Sequence, residues 1–126
     1  MILENIKILI CDDNHDNLDT VAFILEHEGY CVSKETDSTN LIKKITDKNP
    51  DILIVDIWMP KITGDEIIRM IRADSEFKEL PIIAYSARYD IEKVAIEAGA
   101  DDYVSKPFDI SHLIGAINRV LKVVRF

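Results

Sequence analysis

A short apolar run followed by an amphipathic segment occurs five times along this chain, and this alternation restricts the possible folds more than any other feature. Three of the runs are continuously apolar, as in Ile52-Leu53-Ile54-Val55, which is typical of parallel strands covered on both faces. The predicted strands are residues 7–11, 31–34, 52–55, 82–85 and 103–105.

The segments between the runs repeat apolar residues at intervals of three and four, the spacing of an amphipathic helix. In the first segment, Leu18, Val21 and Leu25 share one face, and Gly29 and Gly99 predict two helix ends because glycine is frequent just past a helix C terminus. The predicted helices are residues 14–28, 38–48, 65–73, 90–98 and 110–124. Five β-then-α units imply a three-layer α/β/α sandwich with right-handed crossovers.

Size and charge narrow the class of protein further. A chain of 126 residues is the length of one domain. Its 23 acidic and 15 basic residues leave a net charge of -8, which would repel a polyanion, so we expect no direct contact with nucleic acid. The apolar runs are far shorter than the ~20 residues that a membrane span requires, so we expect no insertion into a membrane.

The N terminus and the two cysteines bear on the compartment. Residues 1–5 lack the basic start and long apolar block of a signal peptide, and Cys11 and Cys31 do not have the spacing of a metal site. We therefore expect the reducing cytoplasm. Cys11 ends the first predicted strand and Cys31 begins the second, so adjacent parallel strands would hold the two thiols too far apart for a disulfide.

Charged and hydroxyl side chains follow four of the predicted strands. Asp12 and Asp13 follow the first, Asp56 the third, Ser86 the fourth and Lys106 the fifth. The carboxyl ends of parallel strands lie on one edge of the sheet, where ligands bind in doubly wound folds. These five residues are therefore predicted to converge.

This set of residues has the chemistry of a phosphoryl-binding site. Clustered carboxylates repel one another, and burial makes each anion more costly. Mg²⁺ relieves the repulsion because it takes oxygen ligands, and it retains waters that a phosphate oxygen can replace. Lys106 and Ser86 would add an ammonium and a hydroxyl donor, which leaves Asp56 as the candidate nucleophile that forms an aspartyl phosphate.

Each of these residues also has an ordinary structural use. Asp12 or Asp13 alone fits the N-cap of the following helix, Ser86 alone fits a turn, and Lys106 alone fits a solvated side chain. A site is indicated because all of them stand at the ends of strands that a parallel sheet brings together.

In order and spacing, these motifs resemble the receiver domain of two-component response regulators. The resemblance extends from Lys7 to about Leu121 and implies a single domain over residues 1–126, with its core at about 6–122. It also implies a flavodoxin-like, doubly wound, five-stranded parallel sheet of strand order 2-1-3-4-5. The matching motifs are ILICDDN at 8–14, DILIVDIWMP at 51–60 with Gly64, PIIAYSA at 81–87 and AGADDYVSKPF at 98–108.

The resemblance implies a role for each site residue. Asp56 matches the aspartate that accepts the phosphoryl group. Asp12 and Asp13, together with Asp56 and the backbone carbonyl of Trp58, match the ligands of Mg²⁺ or Mn²⁺. Lys106 matches the lysine that contacts the phosphoryl oxygens.

The same resemblance implies a switch. Ser86 matches the hydroxyl residue that moves toward the phosphoryl group, and Tyr103 matches the aromatic residue that then rotates inward. The bond between Lys106 and Pro107 is expected to be cis, an isomer that X-Pro bonds adopt at modest cost.

A protein of this kind is a signalling module rather than an enzyme acting on a separate metabolite. It would take a phosphoryl group from a histidine kinase or a histidine phosphotransfer protein, catalyse only its own phosphotransfer and dephosphorylation, and change its protein–protein contacts. A stand-alone role and a place as a fragment of a larger hybrid kinase or response regulator are both open.

Three other interpretations fit the residues less well. A phosphohydrolase with an aspartate nucleophile carries a second aspartate two residues later, where this chain has Trp58. A flavin or nucleotide carrier needs a Gly-rich phosphate loop after the first strand, and Asp12-Asp13 would repel a phosphate without a metal. A pseudo-receiver that keeps the fold without the chemistry would not need the full set of site residues.

Overall fold

The computed structural model describes residues 6–87, 91–106 and 109–121. Strands and helices alternate along these residues, as the apolar pattern predicts. The elements are β1 (Lys7–Cys11), α1 (His15–His27), β2 (Cys31–Glu35), α2 (Leu41–Lys48), β3 (Ile52–Asp56), α3 (Gly64–Ala73), β4 (Ile82–Ser86), α4 (Ile91–Ala98), β5 (Asp102–Ser105) and α5 (Ile110–Leu121).

The strands form one sheet in the order β2-β1-β3-β4-β5, and every neighbouring pair is parallel. Alternate side chains face opposite layers. Ile10, Ile54 and Ile83 pack with α1 and α5, whereas Leu53 and Ala84 pack with α2, α3 and α4. The three-layer sandwich and its strand order are therefore confirmed.

The ends of the helices follow local chemistry. Asn14 is the N-cap of α1, and its side chain accepts the N–H of Asn17 at 2.9 Å. Gly29 and Gly99 adopt φ of 106° and 108°, backbone angles that favour glycine and end a helix. Each predicted stop is confirmed.

The segment before α2 differs from the expected helix over 38–48. Its first turn, Ser38–Asn40, is a 3-10 helix. Asp37 accepts the N–H of Thr39 at 2.9 Å, and the hydroxyl of Ser38 donates to the carbonyl of Pro60 at 3.1 Å. The Ser38 bond ties the turn to the β3–α3 loop, and such a tertiary contact is not visible in the apolar spacing.

The cysteines lie at opposite ends of neighbouring strands. Cys31 is level with Lys7 at the start of β1, whereas Cys11 is level with Glu35 at the end of β2. Both thiols are free, as the predicted separation requires. The expectation that both cysteines are small buried apolar residues holds for Cys11 and is wrong for Cys31, which is exposed at the start of the edge strand β2. None of the helices in the described ranges has the length and apolar character needed to cross a bilayer.

Candidate functional site at the carboxyl edge of the sheet

Three carboxylates that follow or end the central strands β1 and β3 meet at the carboxyl edge of the sheet. Asp12, Asp56 and Ser86 are buried, whereas Asp13 is exposed. The carboxylates of Asp12, Asp13 and Asp56 each place an oxygen within 4.8 Å of the others. Strand register produces this convergence, since Cys11 is level with Val55, and Asp56 with Tyr85.

The β1–α1 turn holds Asp12 in one orientation. Its Oδ1 accepts the backbone N–H of Asn14 at 3.0 Å, and its Oδ2 accepts the side-chain amide of Asn17 at 2.6 Å. A short Asx turn followed by an asparagine N-cap thus leads the chain directly from the strand into α1.

The β3–α3 loop holds Asp56. Its Oδ1 accepts the backbone N–H of Trp58 at 3.1 Å. The loop returns closely to β3, where the N–H of Gly64 donates to the carbonyl of Ile57 at 2.8 Å. A Cβ at Gly64 would overlap the carbonyl oxygen of Asp56, so only glycine permits this approach.

Lys106 brings a positive charge between the two buried carboxylates. Its Nζ lies 3.4 Å from Oδ2 of Asp12 and 3.3 Å from Oδ2 of Asp56. The same ammonium lies 4.4 Å from the centre of the Tyr85 ring, within the range of a cation–π contact.

Two further residues, Tyr85 and Asn17, contact Asp12, and neither was predicted from the sequence as part of the site. The hydroxyl of Tyr85 donates to Oδ2 of Asp12 at 2.6 Å, the same atom that accepts the Asn17 amide. The alternation of β4 was the available signal for Tyr85, because it directs that side chain toward the α1 and α5 layer. Nothing in the local pattern indicates that its hydroxyl reaches across to β1.

The pKa values of the two buried acids, Asp56 and Asp12, are shifted in opposite directions. Burial raises the pKa of Asp56 to about 6, with Lys106 opposing this change and Asp12 adding to it. Burial alone would also raise the pKa of Asp12, but hydrogen bonds from Tyr85, Asn14 and Asn17, with the charge of Lys106, lower it overall. Asp12 is therefore the more stable anion of the pair.

The two predicted switch residues lie on the neighbouring parallel strands β4 and β5. Ser86 is buried at the end of β4, and its carbonyl accepts the N–H of Lys106 at 2.8 Å. Tyr103 is half-buried against the layer of α4, where burial and the neighbouring Glu92 raise the pKa of its hydroxyl. Tyr103 thus packs with α4 rather than with the acids.

Trp58 and Pro107 are the remaining residues that were predicted for the site. Trp58 is 48% exposed, and its backbone N–H donates to Oδ1 of Asp56. Pro107, and with it the predicted cis bond after Lys106, lies outside the described residues.

Comparison with known proteins identifies the family to which the chain belongs. The model of the response regulator receiver domain family matches residues 8–118. The chain belongs to this family.

The receiver domain is 38% identical over 117 residues to the response regulator ArlR of Staphylococcus saprophyticus, covering 92% of this chain and 52% of ArlR. It is 32% identical over 120 residues to the response regulator MprA of Mycobacterium ulcerans, covering 94% of this chain and 51% of MprA. The chain thus spans about half the length of the curated relatives it matches.

Solved receiver structures have the same architecture. A putative response regulator from Chloroflexus aurantiacus aligns with a TM-score of 0.87 at 30% identity, covering 93% of this receiver domain and 98% of that chain. The chemotaxis response regulator CheY4 of Vibrio cholerae aligns with a TM-score of 0.83 at 29% identity, covering 91% and 98%. A receiver domain from a histidine kinase of Syntrophus aciditrophicus aligns with a TM-score of 0.85 at 26% identity, covering 94% and 92%.

Proposed function

We propose that this receiver domain accepts a phosphoryl group on Asp56 from a histidine kinase or a histidine phosphotransfer protein. The observation that carries the proposal is the position of Asp56, which is buried beside Asp12 and within 3.3 Å of the ammonium of Lys106. Membership of the receiver family supports the phosphohistidine donor.

The donor set fits a hard divalent cation. Asp12, Asp13 and Asp56 offer carboxylate oxygens within 4.8 Å of one another, which suits Mg²⁺ or Mn²⁺. We assign these three carboxylates and the backbone carbonyl of Trp58 as the groups that would hold it. When bound, the cation supplies positive charge that offsets the carboxylates and the phosphoryl oxygens.

The chemical step belongs to Asp56. One of its carboxylate oxygens forms a P–O bond while the P–N bond of the phosphohistidine breaks, and the electron pair of that bond stays on the imidazole nitrogen. Lys106 then offsets negative charge on the phosphoryl oxygens. The receiver domain acts only on its own aspartate, so it is a signalling module rather than an enzyme with a separate substrate.

The proposed response passes through Ser86 and Tyr103. The hydroxyl of Ser86 donates to a phosphoryl oxygen, and Tyr103 leaves its position against α4 and rotates inward. The surface formed by α4, β5 and α5 then changes its contacts with a downstream protein, through a population shift between two arrangements. We assign this behaviour to one domain that spans residues 1–126 and works in the cytoplasm.

Intact-mass analysis with acetyl phosphate tests the acceptor. We expect a single added phosphoryl group on the wild type in the presence of Mg²⁺, none with EDTA, and none on Asp56→Asn. Asp16→Asn is the matched control, because Asp16 is exposed in the first turn of α1 and should label like the wild type. Equal labelling of Asp56→Asn and wild type would contradict the assignment.

Trp58 provides a test of the metal ligands, since it is the one tryptophan in the sequence. Mg²⁺ should change its emission intensity, and a second change should follow the addition of beryllofluoride. Asp13→Ala should suppress the first change and Asp56→Asn the second. No response to Mg²⁺ in either emission or calorimetry would refute the metal site.

A further inference from the structure

The side chain of Tyr85 contacts both Asp12 and Lys106, the first through its hydroxyl and the second through its ring. It is 1% exposed at the end of β4. Its hydroxyl lies 2.6 Å from Oδ2 of Asp12, and its ring centre lies 4.4 Å from Nζ of Lys106. The tyrosine therefore affects the acid and the ammonium together.

The hydrogen bonds to Asp12 explain why Lys106 stays at a distance. Each carboxylate oxygen accepts along about two lone-pair directions. Oδ2 of Asp12 already accepts two short bonds of 2.6 Å, one from Tyr85 and one from Asn17. Lys106 lies 3.4 Å from the same atom, beyond the about 2.7–2.9 Å of a close charge-assisted bond.

The result is an ammonium shared between two acids. Its distances to Asp12 and Asp56 are nearly equal, at 3.4 Å and 3.3 Å, and neither is a tight ion pair. A lysine held in this way can turn toward an incoming anion without first breaking a short bond to a carboxylate.

We propose that Tyr85 is a positioning residue for Lys106 in phosphoryl acceptance, an inference that rests on the proposed function. Its hydroxyl occupies the lone pair of Asp12 that the ammonium would otherwise take, and its ring supports the ammonium from one side. Lys106 therefore stays beside Asp56, where the phosphoryl group arrives.

Tyr85→Phe tests this role because it removes the hydroxyl and keeps the ring. Lys106 should close on the vacated lone pair of Asp12 and move away from Asp56. At saturating Mg²⁺ we expect beryllofluoride affinity and the rate of labelling by acetyl phosphate to fall about 10-fold, the effect of misplacing one charged group. The affinity for Mg²⁺ itself, measured by calorimetry, should fall by less than the affinity for beryllofluoride, because Asp13 and Asp56 keep their places.

A double-mutant cycle with Lys106→Met separates positioning from general damage. Without the ammonium there is nothing to misplace, so adding Tyr85→Phe to Lys106→Met should leave the labelling rate unchanged. Tyr30→Phe is the matched control, because Tyr30 is buried in the same layer of the core but directly precedes β2, at the amino edge of the sheet opposite the site. It should behave like the wild type in both assays.

Asn17→Ala provides a second route to the same state, since it vacates the other lone pair of Oδ2 from a less buried position. It should also weaken beryllofluoride binding, whether or not Tyr85→Phe folds. A crystal structure of either variant should show Nζ of Lys106 within about 3.0 Å of Asp12.

The outcomes distinguish this inference from the proposed function. Wild-type beryllofluoride affinity in both Tyr85→Phe and Asn17→Ala would overturn the positioning role, and so would an equal loss in the Lys106→Met background. An equal loss of Mg²⁺ affinity would assign Tyr85 to the metal site instead. Failure of the wild type itself to take a phosphoryl group would refute the proposed function.

Discussion

The two edges of the sheet hold their cations in opposite ways. At the amino edge, Arg72 donates to Asp101 at 2.7 Å, and also to the carbonyls of Gly99, Lys78 and Leu80 at 2.7, 2.9 and 2.6 Å. At the carboxyl edge, Lys106 lies no closer than 3.3 Å to Asp56 and 3.4 Å to Asp12. The first cation makes four close hydrogen bonds, whereas the second is shared between two acids at longer distances.

The difference shows how one fold can separate stability from function. Asp101 also accepts the N–H of Ile82 at 2.8 Å, so the Arg72 cluster joins the end of α3 to the starts of β4 and β5 and needs no further partner. The carboxyl edge gathers Asp12, Asp13 and Asp56 around one lysine. That edge keeps an excess of negative charge which a cation from solution can relieve.

The largest effect is expected from removing the cation at the amino edge, Arg72. Arg72→Ala should lower the free energy of unfolding by about 2–4 kcal/mol, because it removes four hydrogen bonds that join α3 to the starts of β4 and β5. Arg69→Ala is the matched control, since Arg69 pairs with Asp65 on an exposed face of the same helix and should cost no more than about 0.5 kcal/mol. Equal losses in urea denaturation would show that the Arg72 cluster contributes no more than a surface ion pair.

A smaller effect is expected at the loop that supports Asp56. Gly64→Ala should lower the free energy of unfolding by about 1–3 kcal/mol, because the new methyl group overlaps the backbone of Asp56. Gly115→Ala is the control, since the nearest atom to its new Cβ is Nη1 of Arg119 at 3.4 Å. That change should instead raise stability by about 0.5–1 kcal/mol through helix propensity. Destabilisation by both substitutions would argue against a specific overlap at the site.

The smallest change in stability should come from replacing Asp56, which removes one of the three clustered negative charges. Burial raises the pKa of Asp56 to about 6, so the folded protein binds this proton more tightly than the unfolded chain. Ionised Asp56 therefore destabilises the fold, fully above pH 7 and not below about pH 4. Asp56→Asn should raise the free energy of unfolding by about 1–2 kcal/mol at pH 8 in EDTA.

The pH dependence of that gain is the decisive measurement. Urea denaturation from pH 8 to pH 4 should show the difference between Asp56→Asn and wild type shrinking as Asp56 takes up its proton. A gain that is independent of pH, or that grows toward pH 4, would contradict the charge explanation. Adding Mg²⁺ at pH 8 should stabilise the wild type more than Asp56→Asn.

Local sequence patterns were sufficient to predict the strands and helices, and also that the acidic residues at the strand ends lie together. The continuous apolar run at 52–55 predicts a strand covered on both faces, and β3 is buried throughout. Asp12 and Asp56 were predicted to meet because both follow strands of one parallel sheet, and the observed register brings them to the same level. The expected helix over 38–48 was less accurate at its start, where contacts with Pro60 select a 3-10 turn.

The sequence by itself determined the alternation of strands and helices along the chain, the helix ends at Gly29 and Gly99, and the residue types at each strand end. Those features depend on backbone preference and apolar period, which act over a few neighbouring residues. Only the tertiary structure decided which side chains share a partner. Tyr85 meets Asp12 across 73 positions of the chain, and Arg72 meets Asp101 across 29. Such contacts depend on strand order, register and rotamer together, so no local pattern in the sequence contains them.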